Sequence, residues 1–463
     1  MTEPAGVLGE IARAKKRELT SRFDGVSLDG LRSHATPTRR SLAEAIAKPG
    51  SSFILEIKKA SPSEGAIRLG ADANALARSY CGVGDALSVL TDNEFFGGSI
   101  ADLSAARSEF EGPILAKDFF IDRRQVAEAR LAGADAVLVM LSLLDDARAH
   151  EIIDEAHRLG MEVLVEVHDE AEMRRALALR VPLIGINNRD LRDLSIDLST
   201  TERLARLAPE HLLVSESGIT GRGDVDRLSG HVNGFLVGSS LMRSPSPAQA
   251  ARNLVFGRVK LCGLRTKQDI EAGRAAAFVG FVFVPGTPRH VTAQEAAPLA
   301  ALARSFGVLP VGVFRDSPVP AVGEVAATLK LHAVQLHGRE DDDYVRDLRP
   351  HLPGSCEIWT AISAGRQPLP ERSGDRLVFD NGDGGTGRTF DWDQVRHHPG
   401  LPKALVAGGI GPGNARAAAA LGGYALDVGS SLDSMPGVKS PEKIHSLFEA
   451  LRPPCRERLR ACA

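Results

Sequence analysis

Sixteen short apolar runs, in two successive rows of eight, set the pattern of this chain, and nearly every run ends in polar residues or glycine. The first row begins at FILEIKK (53–59) and passes through ALSVLTD, PILAKDF, AVLVMLS, EVLVEVH, LIGINNR and LLVSESG to GFLVGSS (234–240). The second begins at RVKLCGL (258–264) and passes through FVGFVFV, LPVGVFR, AVQLHG, EIWTAIS, RLVFDNG and ALVAGGI to YALDVGS (424–430). The gaps between runs leave room for one helix each. Strands alternating with helical segments imply parallel βαβ units, and eight in a row predict a closed (β/α)8 TIM barrel. The fold class is therefore α/β, with two consecutive barrels. In that fold the reacting groups sit where strands end, so the polar tails of the runs are where chemistry is expected.

Between runs the punctuation is helical. LLDDARAHEIIDEAHRLG carries its acids early, aligns Ile152, Ile153, Ala156 and Leu159 on one face, and stops at Gly160. Before the first run, VLGEIARAKKREL places Val7, Leu8, Ile11 and Ala14 at helical spacing, which predicts an extra helix covering one mouth of the first barrel. The 463 residues divide into a first domain over 1–255 and a second over 256–463. The junction near SPSPAQAARNLVFGRVK is too short for a loose tether. The tail RPPCRERLRACA breaks at Pro453–Pro454 and is expected to be frayed or lightly docked.

Composition narrows the function class. A formal net charge of −3 argues against a global field for nucleic acid or membrane surfaces. No run approaches the ~20 apolar residues of a membrane span, and the N-terminus lacks the apolar core of a secretion signal. Five cysteines without CxxC spacing read as a reduced, cytoplasmic protein with neither structural zinc nor disulfides.

In the first row, Glu56 and Lys58 are two apart on one strand and share a face, which must be the inward one at the C-terminal mouth. Burying unpaired charge costs several kcal/mol, so such groups pair with one another or meet a ligand. Lys117, Glu166, Asn187, Arg189, Glu216, Ser217 and the acid of LTD (Asp92) bring further polar groups to the same mouth. A structural ion-pair network explains any one of them, but not so easily all converging. Gly218 after the seventh strand, with Gly238 and Ser239 after the eighth, suits backbone-amide binding of a phosphate.

The second row repeats that pattern in Gly408 and Gly409 and in Gly429 and Ser430. Gly385 and Gly387 flank Thr386 in a loop rich in free amides. Cys262 shares a face with Lys260, although a lone strand cysteine is most often a small core residue. Asp380 ends the sixth strand and could equally cap the following turn.

FILEIKKASPSEG, LAKDFF, LVEVH, GINNRDLRDLSIDL, VSESGI and FLVGSSLM together resemble the indole-3-glycerol-phosphate synthase family over residues 1–255. The resemblance implies ring closure of a carboxyphenylamino-deoxyribulose phosphate, then loss of carbon dioxide and water. It makes Lys117 the general acid, Lys58 the holder of the substrate carboxylate and an aid to later proton transfer, and Glu166 the partner in dehydration. Glu56 and Asn187 would stabilise the cationic intermediate and hold hydroxyls. Ser61, Gly218, Gly238 and Ser239 would contact substrate, the last three at its phosphate. A lysine near other cations is expected to have a lowered pKa that eases donation. Glu64 stands where the family's SPS motif continues with lysine.

KLCGL, FVPGTPR, VQLHG, FDNGDGGTGRTFDW and VAGGI resemble the phosphoribosylanthranilate isomerase family over roughly 258–452. That family performs an Amadori rearrangement. The resemblance implies Asp380 as general acid at the ring oxygen, Cys262 as general base at C2′, and Arg289 as the cation meeting the anthranilate carboxylate. A thiol near Lys260 and phosphate-binding amides is expected to reach the thiolate state. Thr287, Arg265 and the strand-eight loop DVGSSLDSMPGVKS depart from the family pattern. As a whole the chain resembles the fused bacterial enzyme family that carries these two consecutive steps of tryptophan biosynthesis.

Three rivals stay open. A histidine-pathway isomerase would want aspartates ending strands one and five, whereas strand one ends here in Lys58 or Cys262. A non-catalytic sugar-phosphate sensor would have little use for Lys117, Glu166, Cys262 and Asp380. A third has only one barrel active. His168, His211, His332 and His337 form no metal-binding array and read as solvated or core histidines. No metal or cofactor is expected, and the partners are small sugar-phosphate anthranilates, with no nucleic acid or membrane and a monomeric chain.

Overall fold

The computed structural model describes residues 7–190, 193–364, 369, 372–382 and 389–456. Contacts divide the chain into two units: the first runs to Ala251 and takes in the chain again from Pro453, and the second is Arg252–Arg452.

In the first unit, eight parallel strands close into a barrel in chain order: β1 (Ser52–Ile57), β2 (Ala86–Leu90), β3 (Ile114–Lys117), β4 (Ala136–Met140), β5 (Glu162–Val167), β6 (Leu183–Asn187), β7 (Leu212–Glu216) and β8 (Gly234–Val237). β1 closes the ring on β8, with Phe53 opposite Phe235, and their stacked rings lie 5.7 Å apart. The helix Asp146–Arg158 shows why the intervening segments coil: Asp145 caps it by accepting from Arg148 N, and Ile152, Ile153 and Ala156 are buried.

The N-terminal helix Val7–Arg22 covers the mouth of this barrel. Leu8 and Ile11 line the cavity beneath it. Its buried Lys15 reaches Asp92 (2.7 Å) and Asp118 (2.8 Å), just beyond β2 and β3. Asp92 therefore anchors the helix instead of lining the cavity, a correction to its expected place among the mouth's polar groups. The tail is tied down as far as it is described: Ser51 N donates to Pro453 O (2.9 Å) and Arg456 N to Val232 O (3.2 Å).

The second unit closes another eight parallel strands in chain order: β9 (Val259–Cys262), β10 (Phe278–Val282), β11 (Leu309–Phe314), β12 (Ala333–Leu336), β13 (Glu357–Ser363), β14 (Arg376–Asp380), β15 (Leu405–Val406) and β16 (Ala425–Val428). Phe278, Val311, Trp359, Val378 and Leu405 form its buried floor. The Trp359 ring meets Phe278 edge-on at 5.2 Å. With that end filled, the polar strand ends are left at the opposite mouth. Among the described residues no helix is long and apolar enough to cross a membrane.

Candidate functional site

The mouth of the first barrel holds a cavity of about 220 Å³. Apart from Asp92, the expected first-barrel residues line it: Glu56, Lys58 and Ser61 from β1 and its loop; Lys117 from β3; Glu166 from β5; Asn187 and Arg189 from β6; Glu216, Ser217 and Gly218 from β7; and Gly238 and Ser239 from β8. Phe96, Phe119, Leu194 and Ile196 supply apolar wall.

Lys117 is the hub. Its Nζ contacts Glu216 directly and lies 3.5 Å from Glu166 and 4.0 Å from Glu56, while Lys58 pairs with Glu56 at 2.8 Å. Two glycines make room for these carboxylates. A Cβ at Gly185 would lie 2.1 Å from Glu216 Oε1, and one at Gly238 would lie 2.3 Å from Glu56 Oε1. The electrostatics reverse one expectation. Burial alone would lower the lysine's pKa, but three carboxylates outweigh it and hold Lys117 well above the usual lysine range. The neighbouring cation, Lys58, is already neutralised by Glu56. Burial and the nearby Glu166 and Glu56 push Glu216 up despite its lysine partner. Lys117, His168 and Asn187 hold Glu166 down against its burial.

The loop after β1 lies against the segment following β8. Arg68 donates to Met242 O (3.0 Å) and to Ser244 O, and Glu64 pairs with the half-exposed Arg243 at 2.6 Å. An exposed pair of this kind contributes about 1 kcal/mol or less. Glu64→Gln is therefore expected to change synthase-barrel turnover less than Arg68→Ala, which releases the loop from two carbonyls; steady-state rates of the two variants check this.

The second mouth holds a cavity of about 140 Å³ lined by Cys262, Arg289, Asp380, Gly408, Gly409, Gly429 and Ser430. Gly385 and Gly387 lie outside the described residues. Lys260 Nζ bonds both oxygens of Asp427 at 2.8 Å, so its charge is spent on a carboxylate. Burial pushes the Cys262 thiol up, Lys260 and Lys439 only partly offset this, and Asp427 adds to it. The expected easy access to thiolate is thus not met in the free enzyme. His337 Nε2 stands 3.1 Å from Asp380 Oδ2, and this contact holds the carboxyl below its usual range against burial.

Asp433, in the divergent strand-eight loop, fixes Arg289. Its Oδ2 accepts from Arg289 Nε (3.1 Å) and Nη2 (2.6 Å) and from Gly437 N (3.1 Å), and its Oδ1 accepts from buried Lys439 (2.7 Å). Lys439 also donates to Gly429 O at 2.8 Å.

Sequence reasoning missed Asp427, Asp433 and Lys439, and it read His168 and His337 as solvated or core residues. Both histidines instead contact a site carboxylate. The available signal was position: His168 is two residues past Glu166, as His337 is two past Gln335, each at a strand's C-terminal end.

Residues 8–254 match the family model for indole-3-glycerol phosphate synthase, and residues 259–450 match that for N-(5'phosphoribosyl)anthranilate (PRA) isomerase. The chain is 41% identical over 452 residues to the tryptophan biosynthesis protein TrpCF of Yersinia pestis, covering 96% of this chain and 94% of that one. It is 41% identical over 452 residues to TrpCF of Salmonella typhi, with 96% and 99% covered. To TrpCF of Vibrio parahaemolyticus it is 40% identical over 466 residues, with 97% and 95% covered.

Proposed function

Because the chain belongs to the bifunctional TrpCF family, in which a synthase barrel precedes an isomerase barrel, we propose roles for the residues that its two cavities bring together. The enzyme acts in tryptophan biosynthesis: the isomerase barrel converts N-(5-phosphoribosyl)anthranilate into 1-(2-carboxyphenylamino)-1-deoxyribulose 5-phosphate, and the synthase barrel converts that product into indole-3-glycerol phosphate. We assign the synthase to residues 1–255 and the isomerase to 256–463.

The observation that carries the synthase reading is one lysine, Lys117, within 4.0 Å of three buried carboxylates from three other strands. Those carboxylates keep Lys117 protonated at neutral pH, so the acid form is the resting form. The ring carbon attacks the substrate's ketone carbon, and Lys117 protonates the ketone oxygen as alkoxide character develops on it. Lys58 holds the carboxylate that leaves as carbon dioxide. The iminium formed on closure accepts the released electron pair, so this step draws on no cofactor. Glu56 and Asn187 stabilise that cation, and Glu166 takes the proton lost with water while Lys58 protonates the departing hydroxyl. Arg189, Glu216, Ser217 and Ser61 hold the sugar chain, and Gly218, Gly238 and Ser239 the phosphate.

In the isomerase barrel, Asp380 protonates the ring oxygen and Cys262 removes the C2′ proton. Arg289, held by Asp433, receives the anthranilate carboxylate. The amides near Gly408, Gly409, Gly429 and Ser430 receive the phosphate, and Gly385 and Gly387 are assigned to substrate binding. A bound phosphate and carboxylate raise the pKa of Asp380, bringing to it the proton that His337 disfavours in the empty site. The chain is read as a cytoplasmic monomer acting on small sugar phosphates, with no metal, cofactor or nucleic-acid partner.

Freshly generated phosphoribosylanthranilate supplied to the full chain should give indole-3-glycerol phosphate, followed as loss of the mass of carbon dioxide and water. Accumulation of the open-chain aminoketose at unchanged mass would refute the synthase assignment. Loss no faster than spontaneous hydrolysis would refute that of the isomerase.

A further inference from the structure

His168 has no part in the mechanism above, yet it is the charged neighbour of Glu166 on the side away from Lys117. Glu166 is the penultimate residue of β5 and His168 directly follows the strand, two positions on. His168 Nε2 lies 3.4 Å from Glu166 Oε1, an ion-pair distance and a long one for a hydrogen bond. On the other edge of the ring, Nδ1 lies 3.0 Å from Glu172 Oε2, which also accepts from His168 N at 2.8 Å. The ring thus sits between two carboxylates with its tilt set from the backbone. Its side chain is 12% exposed and faces a second cavity of about 520 Å³, which shares Leu8, Asn187 and Arg189 with the synthase site.

The charge count of the cluster explains why a cation is needed there. Among the described residues, the lysines paired with Glu56, Glu166 and Glu216 are Lys58 and Lys117, three negative groups against two positive ones before His168 is counted. In such a cluster one carboxyl tends to hold a proton. Glu166 must not be that one, because a protonated carboxyl cannot take the proton lost in dehydration. An imidazolium at His168 supplies the third positive charge on the edge of Glu166 that Lys117 does not cover. Burial opposes that charge, but Glu166 and Glu172 outweigh it and push the imidazolium up to about 10. The other charged groups among the described residues lining the second cavity with His168 are Asp169, Asp190, Asp197, Arg189 and Arg203, with Lys117 and Glu216 beyond Glu166.

We propose that His168 is a positioning residue of the synthase reaction: clamped by Glu172, it keeps Glu166 ionised and fixes Glu166 Oε1, leaving Oε2 toward Lys117 and the substrate. This rests on Glu166 being the base in dehydration.

The test uses the full chain, purified 1-(2-carboxyphenylamino)-1-deoxyribulose 5-phosphate and rates of indole-3-glycerol phosphate formation from pH 4 to 9. Removing the cation should raise the apparent pKa of Glu166. His168→Asn is expected to move the acid limb of kcat up by about one pH unit, so that the loss approaches tenfold only on the falling acid limb and disappears on the neutral plateau, with KM within about twofold. Glu172→Gln, at the outer and more exposed position, should shift the limb the same way by less, and carries the test if the histidine variant does not fold. Isomerase activity fixes the concentration of intact protein. A profile lowered in parallel at all pH values, with KM raised, is what a merely structural histidine gives and overturns the proposal. Glu166→Gln separates the two readings: if it keeps full synthase activity, the role of Glu166 fails first; if it is inactive and the His168 and Glu172 profiles do not move, only the present inference fails.

Discussion

Lys117→Met is expected to lower synthase kcat by about 10³-fold, the loss of a general acid, while the isomerase reaction of the same chain stays unchanged. Methionine keeps most of the stem's volume, so the deficit reports the ammonium group rather than a cavity. Two effects add. The ketone oxygen loses its proton donor, and Glu216, Glu166 and Glu56 lose the cation they share. Buried carboxylates left with fewer partners respond by taking up protons. Glu166 would then be partly neutral at pH 7, and dehydration would slow as well as ring closure. Raising the pH should therefore recover part of the loss, namely the part due to Glu166, and leave the rest. Lys117→Arg keeps a positive charge but holds its proton far more tightly on a planar fork. It should restore the ionisation of Glu166 without restoring turnover. Steady-state rates from the purified aminoketose phosphate, with isomerase rates as internal reference, decide the matter. A loss of less than tenfold for both variants would remove Lys117 from the acid's role.

The barrels themselves were legible because strand and helix periods differ and each run ends at a recognisable polar step. Glu56 with Lys58, and Lys260 with Cys262, could be placed on shared inward faces from the two-residue period of a strand. That period does not say which groups meet across the mouth. The meeting is set by the stagger between strands, where Leu90 stands opposite Lys117, Met140 opposite Glu166 and Asn187 opposite Glu216. The stagger carries three carboxylates from separate strands to one ammonium. It turned an expected depression of the lysine's pKa into a rise. In the second barrel β16 places Asp427 beside Lys260, so the cation expected to help the thiol ionise is neutralised. Asp92 was misplaced for a related reason: its partner, Lys15, comes from a helix outside the barrel, and no strand pattern reports that contact. Loop partners such as Asp433 and Arg289, 144 positions apart, are equally invisible to local periodicity.

The acid and base of the isomerase barrel make the second large effect. Asp380→Asn and Cys262→Ala are each expected to lower isomerase kcat/KM by about 10³-fold or more, with synthase rates unchanged. Their pKa directions make the expected wild-type profile specific. Reaction needs the protonated carboxyl together with the thiolate, yet His337 holds Asp380 down and burial holds Cys262 up. The form with the proton on the carboxyl is thus the minor arrangement of one shared proton. Its fraction of the singly protonated pair does not vary with pH, because moving a proton from thiol to carboxyl leaves the total unchanged. kcat/KM should therefore show a broad plateau through neutrality. Below it the rate falls as the carboxyl fills and the last proton can no longer leave the thiol; above it the rate falls as the pair loses its proton altogether. Substituting His337 by Asn should raise the carboxyl's pKa, enlarge the active fraction, and move the acid limb toward neutral pH with little change in the alkaline one. The same substitution removes a contact, so kcat need not rise with the fraction. The limb position is the readout that separates the two effects. An acid limb in the wild type that vanishes in the His337 variant would instead make the imidazole the proton donor and leave Asp380 as its anchor.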